Sequence, residues 1–60
     1  MNNWEVKWTS VWDPTTQIFS GPRAASVQKF DALVEQAKEG KVDCIVMLDD
    51  EGNAVATWGT

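Results

Sequence analysis

Residues 22–48 read PRAASVQKFDALVEQAKEGKVDCIVML, and this segment sets the architecture of the chain. Its first part, from about Arg23 to Glu39, repeats apolar residues at the 3.6-residue period of an α-helix. Pro22 suits the first turn of such a helix, and Gly40 suits a left-handed C-terminal cap. The predicted buried stripe consists of Val27, Phe30, Leu33, Val34 and Ala37.

The second part of the segment, Val42–Leu48, is the most apolar run of the chain. A continuous apolar run predicts a central strand with both faces at least partly covered. Cys44 within it is expected to be a reduced, buried thiol. Residues 49–53 then predict a hairpin loop with Gly52 at positive φ, and Ala54–Trp58 predicts the last strand.

The N-terminal part predicts a second hairpin. Residues 3–12 place tryptophans on one side at period two, and their β-branched and aromatic content favours a strand over a helix. Asp13 and Pro14 provide turn chemistry, with the Asp13 side chain accepting from a backbone N–H two residues on. A short strand, Gln17–Ser20, ends where Pro22 cannot donate to a ladder.

These elements predict an α+β domain, ββαββ, spanning residues 1–60. The expected packing is a single helix on one face of a small, mainly antiparallel four-stranded sheet. The strand order stays open. The candidate edge strands, Gln17–Ser20 and Ala54–Trp58, carry neither charge nor proline, so a homodimer formed by sheet-edge pairing is a further possibility.

Charge and length limit the partners. The 60 residues carry nine acidic and five basic side chains, a net charge of −4. This charge disfavours direct contact with nucleic acid or an anionic membrane and favours a neutral or basic protein partner. The N-terminus has no signal-peptide pattern, and the apolar run at residues 44–48 is too short for a bilayer. We therefore expect a cytoplasmic protein.

The residue types for catalysis and metal binding are sparse. With one cysteine and no histidine, an intramolecular disulfide is impossible and a zinc site is not expected. Asp49, Asp50 and Glu51 are adjacent, but they lie in a predicted solvated turn and lack the ligand spacing of an EF-hand. The sequence predicts neither an enzyme nor a cofactor.

Tryptophan is the most informative residue type, with four in 60 residues. Three of them lie in line on the first predicted strand, and a helix of about 17 residues spans only about 25 Å. One or two tryptophans are therefore expected at the rim of the sheet or on its open face. Trp12 and Trp58 are the candidates, and exposed tryptophan is enriched at binding hot spots. Exposed tryptophan also stacks on sugars and bases.

Acidic side chains supply the second candidate surface. Asp31, Glu35 and Glu39 recur every four residues on the outer side of the predicted helix. Together with the acidic turn, they would suit a basic protein partner. The alternative interpretation is an ordinary solvated face. The predicted partner-binding residues are Trp12, Trp58, Asp31, Glu35, Asp49, Asp50 and Glu51.

These observations favour a non-catalytic protein-binding module. By analogy of size and composition, it resembles a small bacterial or phage accessory protein that binds and modulates a larger host protein. The alternatives are an acidic inhibitor that mimics nucleic acid, a small-ligand or carbohydrate binder with a tryptophan platform, and a structural or oligomeric component.

Overall fold

A computed structural model describes residues 3–59. Its elements are β1 (Trp4–Ser10), β2 (Thr16–Gly21), α1 (Arg23–Lys38), β3 (Val42–Leu48) and β4 (Ala54–Trp58). The strands form one antiparallel sheet in the order β2-β1-β3-β4, and α1 packs on one face of it. The predicted α+β class and ββαββ order are confirmed, together with the bounds of β3 and β4.

β1 is an inner strand of the sheet and has a neighbour on each side. β1 pairs with β2 on one side and with β3 on the other. Because β2 and β3 are both antiparallel to β1, they run in the same direction, and α1 carries the chain across β1 between them. β2 and β4 are therefore the two edges of the sheet, as the sequence predicts.

The core lies between α1 and one face of the sheet. Val6 is fully buried, and it pairs with Phe19 on β2 and Met47 on β3. Directly opposed residues in antiparallel strands share a face, so this row points toward the helix. The buried apolar residues are Val6, Leu33, Ala37, Val42, Ile45 and Met47.

A β-bulge adjusts the start of β3. Thr9 pairs with Cys44, but the next residue, Ser10, pairs with Val42, so Asp43 is the extra residue. The bulge brings Val42 to the helix side, where it is buried, and leaves Asp43 exposed. Without it, strict alternation would direct Val42 to the opposite face.

The buried side of α1 differs from the predicted stripe. Val27 is 38% exposed, whereas Ser26, which was outside the stripe, is fully buried. The Ser26 hydroxyl donates to the carbonyl of Gly21 at 3.4 Å, so its polar atom has a partner at the start of the helix. A small side chain here allows α1 to lie close to the end of β2.

The C-terminus of α1 follows the predicted capping. The helix ends at Lys38, one residue earlier than predicted, and Gly40 has φ of 83°. The Gly40 N–H donates to the Ala37 carbonyl, and the Lys41 N–H donates to the Gln36 carbonyl. This is a Schellman arrangement, which satisfies helix carbonyls that have no intrahelical donor.

The prediction that β1 extends to Trp12 is wrong. β1 ends at Ser10, and the Val11 N–H donates to the carbonyl of Lys41 instead of extending the ladder to β2. Trp12 therefore lies in the connection to β2 and does not face the helix. β2 gains a residue at each end, Thr16 and Gly21, relative to the predicted strand.

The other face of the sheet, called the open face below, has no layer over it within residues 3–59. Cross-strand pairing puts Lys7 beside Ile18 and Val46, and Thr9 beside Thr16 and Cys44. The prediction that Cys44 is buried is wrong, because its side chain lies on this face and is exposed. β3 is therefore covered by α1 on one face only, whereas its apolar run predicts at least partial cover on both faces.

We predict a large contrast between two truncations on α1. Leu33→Ala removes a side chain that is 2% exposed and should lower the free energy of unfolding by about 2–5 kcal/mol. Val27→Ala removes a side chain that is 38% exposed and should change it by about 0.5 kcal/mol or less. Urea unfolding followed by circular dichroism measures both, and equal losses would contradict the buried face described above.

Candidate protein-binding site

The connection between β1 and β2, residues 11–15, forms a loop that we call the Trp12 loop. Its backbone is held at three points. The Val11 N–H donates to the Lys41 carbonyl at 3.2 Å, and the Asp13 N–H donates to the Ser10 carbonyl at 3.4 Å. The Thr15 N–H donates to Oδ1 of Asp13 at 2.9 Å, the local bond that the sequence predicts.

Asp13 is the side chain that organises this loop. The hydrogen bond from the Thr15 backbone, with a smaller contribution from the Thr15 hydroxyl, holds the pKa of the Asp13 carboxyl below its ordinary value. These hydrogen bonds favour the charged form of Asp13, which serves as the acceptor that closes the turn. Pro14, with its fixed φ, further restricts the backbone next to it.

Trp12 is displayed by this loop. It is 75% exposed, the highest value among the exposed large hydrophobic residues of the described chain, and its neighbour Val11 is 43% exposed. A tryptophan in contact with water leaves much of its large apolar area unburied. Since the surrounding backbone is already ordered, burial against a partner would require little further ordering of this loop.

The remaining tryptophans are partly covered. The guanidinium of Arg23 lies over Trp4, 5.3 Å from the centroid of the ring. The ammonium of Lys29 lies over Trp8, 4.8 Å from the centroid of that ring. Both contacts come from α1 and are cation–π interactions. Trp58 pairs with Ile45 and packs against the core. Of the two tryptophan candidates, the structure exposes Trp12 and places Trp58 at the edge of the core.

In the acidic turn, formed by Asp49, Asp50 and Glu51, one carboxylate has a structural role. Oδ1 of Asp49 accepts from the backbone N–H of Glu51 and of Asn53, each at 2.9 Å, while Gly52 has φ of 87° as predicted. The carboxylates of Asp49, Asp50 and Glu51 offer oxygens within 4.8 Å of one another. Exposed acidic groups of this kind are common in turns, and here Asp49 closes the hairpin loop.

The acidic row on α1 is exposed as predicted, but it is partly neutralised. Lys38 approaches Glu35 at 3.3 Å, and Lys41 approaches Glu39 at 3.0 Å. Such exposed pairs add little stability, yet they reduce the local negative charge. Asp31 is exposed and carries no ion pair among those found within residues 3–59.

These candidate residues do not converge on one site. Glu5 pairs with Leu48 next to the acidic turn, whereas Ser10, next to the Trp12 loop, pairs with Val42. The five residue steps between Glu5 and Ser10 correspond to roughly 17 Å of strand. The Trp12 loop therefore lies at one end of the sheet, beside the C-terminus of α1, and the acidic turn lies at the other end.

The open face carries a groove that sequence reasoning missed. Its volume is about 360 Å³, and on the open face it is lined by Lys7, Thr9, Thr16, Cys44, Val46 and Thr57. Trp8, Ile45, Trp58 and Gly59 also line it. The Cys44 thiol lies 4.0 Å from the Thr9 hydroxyl, which places both side chains on this face. The period-two alternation of β1 could have indicated part of this groove, since it places Lys7 and Thr9 on the same face of the strand.

Comparison with known proteins gives no relative: no protein-family model, curated protein or solved structure matches the chain. Between residues 3 and 59, no helix has the length and apolar character needed to cross a membrane.

The fluorescence of the protein should report the exposure of Trp12. In acrylamide quenching, Trp12→Phe should remove the most accessible and most red-shifted emission, because Trp12 is 75% exposed. The matched variant Trp58→Phe should leave that component in place, because Trp58 packs against the core. If the accessible component were lost in Trp58→Phe and kept in Trp12→Phe, this assignment would be wrong.

The role of Asp49 can be separated from its charge. Asp49→Ala removes an acceptor of two backbone hydrogen bonds and should lower the free energy of unfolding by roughly 1–2 kcal/mol. Asp49→Asn keeps an oxygen acceptor and should lose much less. Thermal unfolding of the two variants measures the difference, and an equal loss in both would show that charge, not the turn bonds, is responsible.

Proposed function

We propose that this chain is a non-catalytic protein-binding module that acts in the cytoplasm and inserts Trp12 into an apolar pocket of a larger protein. The observation that carries the proposal is the 75% exposure of Trp12 on a loop with three backbone attachments. Large aromatic side chains that enter a well-packed pocket dominate many interfaces. The size and composition of the chain suit a bacterial or phage accessory protein that modulates a host protein.

The charges around the loop favour a partner with a neutral or mildly basic rim. The Asp13 carboxylate is engaged by Thr15, and the nearby Glu39 is paired with Lys41. Lys41 therefore reduces the local charge of Glu39, whereas the hydrogen bond from Thr15 favours the charged form of Asp13, which keeps its negative charge beside Trp12. Val11 extends the apolar contact next to Trp12. The specificity of the interface would come from the shape of the pocket.

The same charge pairing weakens the case for a nucleic-acid mimic. Such an inhibitor needs rows of carboxylates in place of phosphates, and its binding falls steeply with salt. On the outer side of α1, Lys38 and Lys41 neutralise two of the three acidic side chains in the row. The acidic turn is separated from the Trp12 loop by the length of the sheet.

The test begins with capture of a partner from a bacterial lysate on the immobilised chain, followed by titration calorimetry with the purified partner. Trp12→Ala should weaken binding by about 30-fold or more, equal to about 2 kcal/mol, because the anchor is lost. Val27→Ala is the matched control, since it truncates an exposed apolar residue on α1 and should change affinity less than about 3-fold.

Two results would contradict the proposal. One is a partner whose affinity is unchanged by Trp12→Ala while the variant retains its circular dichroism spectrum. The other is binding that disappears with charge reversal at Asp31 and Glu35 and at high salt, which would support the electrostatic alternative instead.

A further inference from the structure

We infer that β2 is a self-association edge, through which two copies of this chain pair antiparallel about a two-fold axis. An edge strand presents one row of backbone N–H and C=O groups with no partner in its own sheet. Natural edge strands usually prevent pairing with another chain by charges, proline, bulges or very short length. Between residues 16 and 21, β2 has no charged side chain, no proline and no bulge.

The regularity of β2 makes it a suitable template. All six of its residues pair with β1 in continuous register, from Thr9 opposite Thr16 to Trp4 opposite Gly21. Such an edge can accept another strand over its whole length. The partner that matches it directly is a second copy, because an antiparallel pair of identical strands is self-complementary under two-fold symmetry.

The opposite edge is less suitable for the same pairing. β4 has five residues, and its register with β3 shifts where Met47 pairs with Ala56 and Leu48 pairs with Ala54. Val55 is the extra residue of this bulge. A bulge bends and twists an edge away from a regular partner. The two edges therefore differ, and β2 is the one that remains unprotected.

The side chains define the register of the pair. With the two-fold axis perpendicular to the sheet, both helices lie on the same side and opposed residues must share a face. Placing the axis at Ile18 opposes the two Ile18 side chains on the open face and sets Thr16 of each copy opposite Ser20 of the other. Ile18 is 59% exposed in the single chain, so this register buries its largest exposed edge side chain.

The net charge of −4 does not prevent this contact at short range. The nearest charged side chain on the open face is Lys7, which lies opposite Ile18 on β1. Across the dimer, the two β1 strands would be three strand spacings apart, roughly 14 Å. This exceeds the Debye length of about 8 Å at physiological ionic strength, so repulsion between the two lysines is screened.

The decisive experiment compares the same substitution on the two edges. In sedimentation velocity, the wild-type chain should approach twice its mass of 6.7 kDa with rising concentration, with a dissociation constant below about 1 mM. Ile18→Lys places like charges opposite each other at the axis and should raise that constant at least about 10-fold. Val55→Lys, on the same face at the other edge, should leave it unchanged.

Three results would overturn the inference. The first is a wild-type chain that stays monomeric at about 1 mM. The second is equal dissociation by Ile18→Lys and Val55→Lys, which would indicate stacking of open faces. The third is dissociation by Val55→Lys alone, which would assign the contact to β4.

Hydrogen exchange of the wild-type chain tests the same contact without relying on the folding of a variant. As the protein concentration rises, the amides of β2 that point away from β1 should become protected from exchange. The amides of β4 should show no such change. Unchanged exchange along β2 in a sample of dimer mass would also overturn the inference.

Discussion

The burial of Val6 is the interaction on which the rest of the structure depends. Val6 is fully buried in the central strand, with Phe19 and Met47 opposite it on the neighbouring strands. Its position decides which face of β1 receives the helix, because alternate residues of a strand point to opposite faces. A shift of one residue would place Lys7 against α1 and the tryptophans Trp4 and Trp8 in water.

The aromatic rim follows from the same constraint. A single helix of 16 residues cannot bury every large side chain on a four-stranded sheet. Trp4 and Trp8 are instead partly covered by Arg23 and Lys29, whose charges lie over the rings. Each such contact contributes only about 0.5–1 kcal/mol, but in a domain with a small core this is a useful fraction of the net stability. Arg23 and Lys29 thus extend the cover that α1 gives to the aromatic side chains.

The uncovered side of the sheet gives the molecule its surface properties. The open face carries Cys44 and a groove beside Lys7, and it ends at two edges of different regularity. The Trp12 loop lies at one end of the sheet, where the start of β3 and the end of α1 meet. The Trp12 loop leads directly into β2, so a dimer paired through β2 would carry two such loops, one at each end of the shared strand pair.

Local sequence patterns determined much of the fold. The apolar run at Val42–Leu48, the glycines at 40 and 52, and the turn chemistry at Asp13 and Asp49 act through neighbours in the chain. Propensity and capping are local, so these features could be predicted with their bounds. The exposure of Trp12 was one of the expected outcomes, because the length of the helix limits how many tryptophans it covers.

Only the tertiary structure decided which side chains are covered. Ser26 replaces Val27 on the buried side of α1 because the end of β2 lies beside it. Cys44 is exposed because, within residues 3–59, no second layer covers the open face. The bulge at Asp43 and the irregular edge at Val55 arise from pairing with a strand distant in the sequence. The separation of the Trp12 loop from the acidic turn has the same origin, since strand order and register are set by long-range contacts that no local pattern encodes.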